Sequence, residues 1–95
     1  MFIKRTVIMD EELIEAIALV SKSKYREKIL YDLEEKVRTP SKISKATGIQ
    51  PSHISKYLKS LKEANLIVCL NEEAKQGRIY MITDLGKEVL SYIWA

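Results

Sequence analysis

Cysteine, histidine, glycine and proline are scarce in this chain of 95 residues, which has one Cys, one His, three Gly and two Pro. A lone Cys69 closes no internal disulfide, and with a lone His53 it builds no credible metal cage. Cys69 reads as a plain buried thiol; an intermolecular bridge is the alternative, tolerated in hyperthermophile cytosols. Neither His53 nor any lysine lies near a Gly-rich loop, a carboxylate pair or a metal cluster, so an enzyme is not expected, nor a cofactor. No apolar run approaches the ~20 residues of a membrane-spanning helix, and the start MFIKRTVIMDEE lacks a signal peptide's long apolar region. The expectation is a cytoplasmic protein. Asn and Gln are few beside Lys and Glu, which leans toward a thermophilic source.

A more local absence carries more information. Between Lys36 and Lys62 the sequence contains no Asp or Glu, while Lys36, Arg38, Lys42, Lys45, Lys56, Lys59 and Lys62 all fall there. Across the whole chain the net charge is only +3, with 46% hydrophobic and 31% charged residues. That balance describes an ordered globular chain, and its length fits one domain over residues 1–95. The acid-free segment is the footprint of a surface that meets phosphates.

The same segment, TPSKISKATGIQPSHISKYLKSLKEANL, is built as two helices joined by a tight turn over residues 39–64. Pro40 and Pro51 each suit a first helical position, where the amide has no intrahelical partner, and each pushes the residue before it out of the helical region. Thr39 is a good N-cap, Gln50 a poor one, and Gly48 is placed to end the first helix with a positive φ. In the second helix Ile54, Leu58 and Leu61 recur at i, i+4 and i+7 and form the buried stripe. Ser52, Lys56 and Lys59 then fall on the opposite side, with His53 and Ser60 on its flank.

Around this centre the remaining elements follow in order. Residues 1–9 read as a short strand or docking segment, with a DNA-touching arm through Lys4 and Arg5 as the alternative. Asp10 is a natural N-cap for an apolar helix over 10–20. Ser21-Lys22-Ser23 interrupts it, and Lys24 to Lys36 forms the next helix, with Tyr25, Ile29 and Leu33 on one stripe and a solvated polar face. Leu66–Leu70 and Arg78–Thr83 are β-branched and apolar, and NEEAKQG with Gly77 joins them into a protruding hairpin over 66–83. In that loop Lys75 and Arg78 are expected to face the duplex and Glu72 and Glu73 to face away. Thr83 caps a last helix over 84–95, in which Gly86 allows a close approach. The two terminal helices are the candidate dimer surface, through Leu13, Ile14, Ile17, Val20, Val89, Leu90, Ile93 and Trp94.

Over most of its length the chain resembles archaeal winged-helix transcription regulators of the broad MarR/ArsR-like type. The resemblance is carried by SKYREKILYDL, TPSKISKATGIQPSHISKYLKSLKEANLI and CLNEEAKQGRIYMITDLGKEVL. It implies an α+β, mainly α, winged helix-turn-helix with a two-stranded wing, acting as a homodimer on double-stranded DNA. The family's recognition-helix positions fall on Ser52, His53, Ser55, Lys56 and Lys59, and its wing positions on Lys75, Gln76 and Arg78. Ser41 and Lys42, at the start of the first helix of the pair, complete the candidate DNA contacts. Gln50 departs from the family's usual Ser, Thr, Asp or Asn cap. The paired cysteines of the metal-sensing branch are missing, so metal sensing is not carried over. An architectural DNA binder and a protein-interaction adaptor are the alternative functions.

Overall fold

The computed structural model describes residues 10–93, and the expectations for residues 1–9 and for Trp94 lie outside that range. Helix α1 (Glu11–Ser21) and α2 (Lys24–Asp32) lead to the paired helices α3 (Pro40–Thr47) and α4 (Pro51–Glu63). Strands β1 (Ile67–Cys69) and β2 (Tyr80–Ile82) follow, and α5 (Asp84–Ile93) closes the order.

Local chemistry sets most of these boundaries. Ser23 caps α2 by accepting from the Arg26 amide at 3.2 Å, and Thr39 caps α3 by accepting from the Lys42 amide at 3.3 Å. Asp10 precedes α1 without a side-chain cap hydrogen bond, contrary to the cap expected of it; its carbonyl still accepts from Ile14 N at 3.1 Å. Helix α2 stops at Asp32, short of the expected Lys36, because Leu33–Glu35 turn and deliver Arg38 to the sheet.

The turn between α3 and α4 is tied down from several directions. Gly48 takes φ 78° and its amide donates to Ser44 O at 2.9 Å. The Ser44 hydroxyl donates to Ile49 O at 2.6 Å, while the Thr47 hydroxyl donates to Ile43 O at 2.7 Å and accepts from Ile49 N at 3.3 Å. Ile43 and Ile49 are buried on either side of the turn, so its backbone and its apolar contacts specify one crossing.

Beyond its other end α4 is followed by Ala64 and by Asn65, which adopts φ 64°, and Leu66 N reaches back to Leu61 O at 3.0 Å. This left-handed stop turns the chain straight into β1. Strands β1 and β2 pair antiparallel with Ile67 opposite Ile82, Val68 opposite Met81 and Cys69 opposite Tyr80. Ile67, Tyr80 and Ile82 face inward, while Val68 and Met81 are outside. Arg38 and Tyr80 exchange both backbone hydrogen bonds, at 3.1 and 2.9 Å, so the Val37-Arg38 connector supplies a single third rung.

Both strands are shorter than the runs expected from composition. The ladder ends where Leu70 N donates to Ile79 O at 2.8 Å, and the next rung is replaced by a side chain: Asn71 Oδ1 accepts from Ile79 N at 2.8 Å. Asn71 Nδ2 donates to Gly77 O at 3.2 Å, which closes the loop on itself. Cys69 is half-buried rather than buried, its Sγ 3.5 Å from Asn71 Oδ1.

The core joins Leu13, Ala16 and Val20 of α1, Ile29, Leu30 and Leu33 of α2 and its following turn, the stripe of α4, the inner sheet face, and Val89 and Leu90 of α5. Helix α1 packs on α5 and α2. This corrects the expected dimer surface: Leu13, Val20, Val89 and Leu90, at 5%, 0%, 0% and 2% exposure, are buried in the chain's own interior. Ile17 and Ile93 are partly buried against the same core, and Ile14 alone of the described set stands out, at 49% exposure.

Candidate nucleic-acid interface

Because α4 buries Ile54, Leu58 and Leu61, it must present Ser52, His53, Ser55, Lys56 and Lys59 outward, and all five are exposed. Ser41 and Lys42 are exposed in the first turn of α3. Between α4 and the hairpin lies an open cleft of about 430 Å³, lined by Ser55, Lys59 and Lys62 from the helix and by Lys75, Gln76 and Arg78 from the loop. Of the residues assigned to DNA from the sequence, Ser41, Lys42, Ser52, His53 and Lys56 stand outside that cleft.

Arg78 lines the cleft, yet its guanidinium is turned into its own loop. Nε donates to Ala74 O at 2.8 Å and Nη2 donates to Glu72 O at 2.9 Å. A fork that holds two carbonyls is committed to shaping the loop, and its Nη1 lies 4.0 Å from the Glu72 carboxylate. The expectation gives Arg78 to the duplex; in the structure its Nε and Nη2 are taken by its own loop.

Glu72 also has a partner that its charge does not foretell. The expectation turns it away from the duplex; its carboxylate meets Lys62 Nζ at 2.7 Å. The hydrogen bond from Lys62 holds Glu72 below the usual carboxylate range, and the same bond holds Lys62 above the usual lysine range. Both groups are exposed enough that water and salt screen the pair strongly.

A second group of side chains, in which Arg26 and Tyr57 are assigned no role from sequence, braces the flank of α4. Arg26 Nε donates to Ser60 Oγ at 3.0 Å, its Nη1 donates to Leu19 O at 3.3 Å, and its guanidinium stands 5.3 Å from the Tyr57 ring centre. Tyr25 meets Tyr57 and His53 edge to face, at 5.4 and 5.7 Å between ring centres. Lys56 Nζ lies 5.4 Å from the same Tyr57 ring. A sequence signal for this group exists: His53, Tyr57 and Ser60 recur at i, i+4 and i+7 and make a second stripe beside the apolar one. Elsewhere Asp32 and Arg38 form a largely buried ion pair at 3.1 Å without hydrogen-bond alignment, which anchors the third rung of the sheet.

Helices α2, α3 and α4 followed by a hairpin and a closing helix define a winged helix-turn-helix, mainly helical with a two-stranded sheet. Residues 23–68, from the cap of α2 into β1, match the model of the bacterial regulatory protein, arsR family. Comparison with curated proteins finds no match. Among solved structures, a homodimeric winged helix-turn-helix DNA-binding domain from Mycobacterium bovis, a possible ArsR-family transcriptional regulator, is similar. It is 18% identical with a TM-score of 0.70, covering 99% of this chain and 84% of that one. The protein RV1404 from Mycobacterium tuberculosis is 20% identical with a TM-score of 0.68 over 87% of this chain, which spans only 60% of that protein. The adhesin competence repressor of Streptococcus pyogenes is 21% identical with a TM-score of 0.64, over 97% of this chain and 70% of that one. At such identities the likeness establishes the fold.

Proposed function

We propose that this protein is a transcription regulator that binds double-stranded DNA as a homodimer, with α4 in the major groove and the wing against the backbone or minor groove. The observation that carries the reading is the exposed outer face of α4. Ser52, Ser55, Lys56 and Lys59 stand opposite a stripe locked in the core, on a helix pair free of acid from Lys36 to Lys62. Lys56 and Lys59 contact phosphates or guanine edges, and Ser52 and Ser55 are short enough to reach base edges near the helix start. His53 is held by Tyr25 at the edge of that face, and Lys42 extends the cationic surface onto α3. Two copies of α4 in successive major grooves set half-sites ~10 base pairs apart, or a multiple of that. The arsR-family match supports the regulator reading.

The test is duplex affinity against salt concentration, using random genomic fragments with and without unlabelled competitor. Steep salt dependence with selected, roughly palindromic fragments is the expected result. Steep dependence without selection would leave an architectural binder, and no binding at low salt would leave a protein-interaction adaptor.

For the dimer, support comes from the Mycobacterium bovis domain, described as homodimeric, and from what the core leaves uncovered. Ile14 on α1 and Tyr92 on α5, 49% and 47% exposed, are large side chains on two helices that pack together. Ile14→Asp is expected to raise the dimer dissociation constant at least tenfold in sedimentation equilibrium, because a buried unpaired carboxylate costs more than about 1.4 kcal/mol. An unaltered dimer would remove α1 from the interface.

A further inference from the structure

The cleft between α4 and the wing is lined by four cations, and a carboxylate outside that lining reaches one of them. Lys59, Lys62, Lys75 and Arg78 line it, and Glu72 reaches Lys62 at 2.7 Å with its other oxygen 4.0 Å from Arg78 Nη1. The position of Glu72 is built: Arg78, whose fork is fixed on the carbonyls of Ala74 and Glu72, holds the backbone from which that carboxylate extends. Among the described residues Lys59 and Lys75 have no ion pair and Arg78 approaches Glu72 only at 4.0 Å, so Lys62 is the cation of the cleft that an internal anion holds most closely.

Resting on the DNA-binding reading, we infer that Glu72 stands in for a backbone phosphate in the DNA-free protein, and that entry of the duplex displaces it and hands Lys62 over to DNA. An exposed ion pair contributes little, and a phosphate offers Lys62 the same charge-assisted hydrogen bond, so the exchange has no large barrier to overcome. Its consequence is a brake on affinity. One counterion fewer is released per protomer than the cations of the cleft would allow, and the displaced carboxylate stays near the phosphates. Glu72 is thus a positioning residue for Lys62, and it trims the sequence-independent part of binding.

The experiment is a salt titration of duplex affinity for the full chain and for Glu72→Gln, Lys62→Gln, the double variant, and Glu73→Gln. Glu73 is exposed in the same loop and has no ion pair among the described residues, so it reports the effect of removing a nearby charge alone. Glu72→Gln is expected to tighten binding about three- to tenfold near 50 mM salt and to steepen the slope of log affinity on log salt by about 0.9 per protomer. Lys62→Gln is expected to weaken binding, and in the double variant the gain in slope should vanish. Three results would overturn the inference. They are a slope gain that survives in the double variant, an equal gain from Glu73→Gln, and weaker binding by Glu72→Gln. A wild-type chain that binds no duplex would instead overturn the DNA-binding reading, and this inference with it.

Discussion

Gly86→Ala is expected to destabilise the fold by about 2 kcal/mol or more, a drop in melting temperature of roughly 8–16 °C for a domain of this size. Gly86 is buried in the first turn of α5, against the Leu66 carbonyl and the Ile82 side chain. A Cβ there would press on the backbone carbonyl of Leu66 and lie 2.6 Å from Ile82 Cγ1. Neither neighbour has room to yield. Leu66 O already accepts from Thr83 N at 3.0 Å, and Ile82 is buried at 4% exposure in the inner face of β2. The usual gain of about 1 kcal/mol for alanine over glycine in a helix offsets part of the clash, so the net loss is smaller than the steric term alone. Thermal unfolding at one fixed protein concentration measures it, since association would otherwise move the midpoint. Ser91→Ala, on the exposed side of the same helix, should stay within about 0.5 kcal/mol of wild type. If Gly86→Ala melted with it, the close approach of α5 to the sheet would not be what requires glycine.

That junction also shows what kind of information the sequence carries openly. Thr83 accepts from Gly86 N at 3.0 Å and donates to Asn65 O at 2.8 Å, so one residue caps α5 and ties it to the end of α4. Its capping role, like those of Ser23 and Thr39, depends on neighbours three residues away and is readable from a short window. The same holds for Pro40, Gly48 and Pro51, and for the apolar stripe of α4. What a short window does not contain is the partner of a long polar side chain. Arg26 and Ser60 are 34 residues apart in sequence, and the Lys62–Glu72 and Arg78–Ala74 contacts depend on how the wing loop folds back. Charge alone therefore decides the expectation for Arg78 and Glu72, and it does not foresee that Arg78 holds its own loop's carbonyls or that Glu72 meets Lys62. For the terminal helices the reason is different. An almost uniformly apolar helix such as α1 states that several sides are covered, but not whether its own core or a second copy covers each one. In the structure α5 and α2 take most of those sides.

The largest expected effect on function belongs to the outer face of α4. Lys56→Glu together with Lys59→Glu should lower duplex affinity at least hundredfold at ~100 mM salt and flatten the salt slope by about 1.8 per protomer. The magnitude follows from removing two phosphate contacts, and the two new carboxylates add repulsion on the same surface. The fold should survive the change. Both positions are exposed and the buried stripe at Ile54, Leu58 and Leu61 is untouched. Lys56 gives up its place beside the Tyr57 ring, but Tyr57 keeps Arg26 and Tyr25 against it, so the flank of α4 remains braced. Circular dichroism and the melting temperature serve as the control, and a folded double variant with undiminished affinity would remove α4 from the DNA. Charge reversal at Lys22 and Lys87, exposed at the end of α1 and on α5, is the matched comparison, because it changes net charge equally on elements other than the helix pair. Equal losses from the two variants would mean that net charge alone governs binding. A loss confined to Lys56 and Lys59 would localise the duplex to the face that the acid-free segment builds.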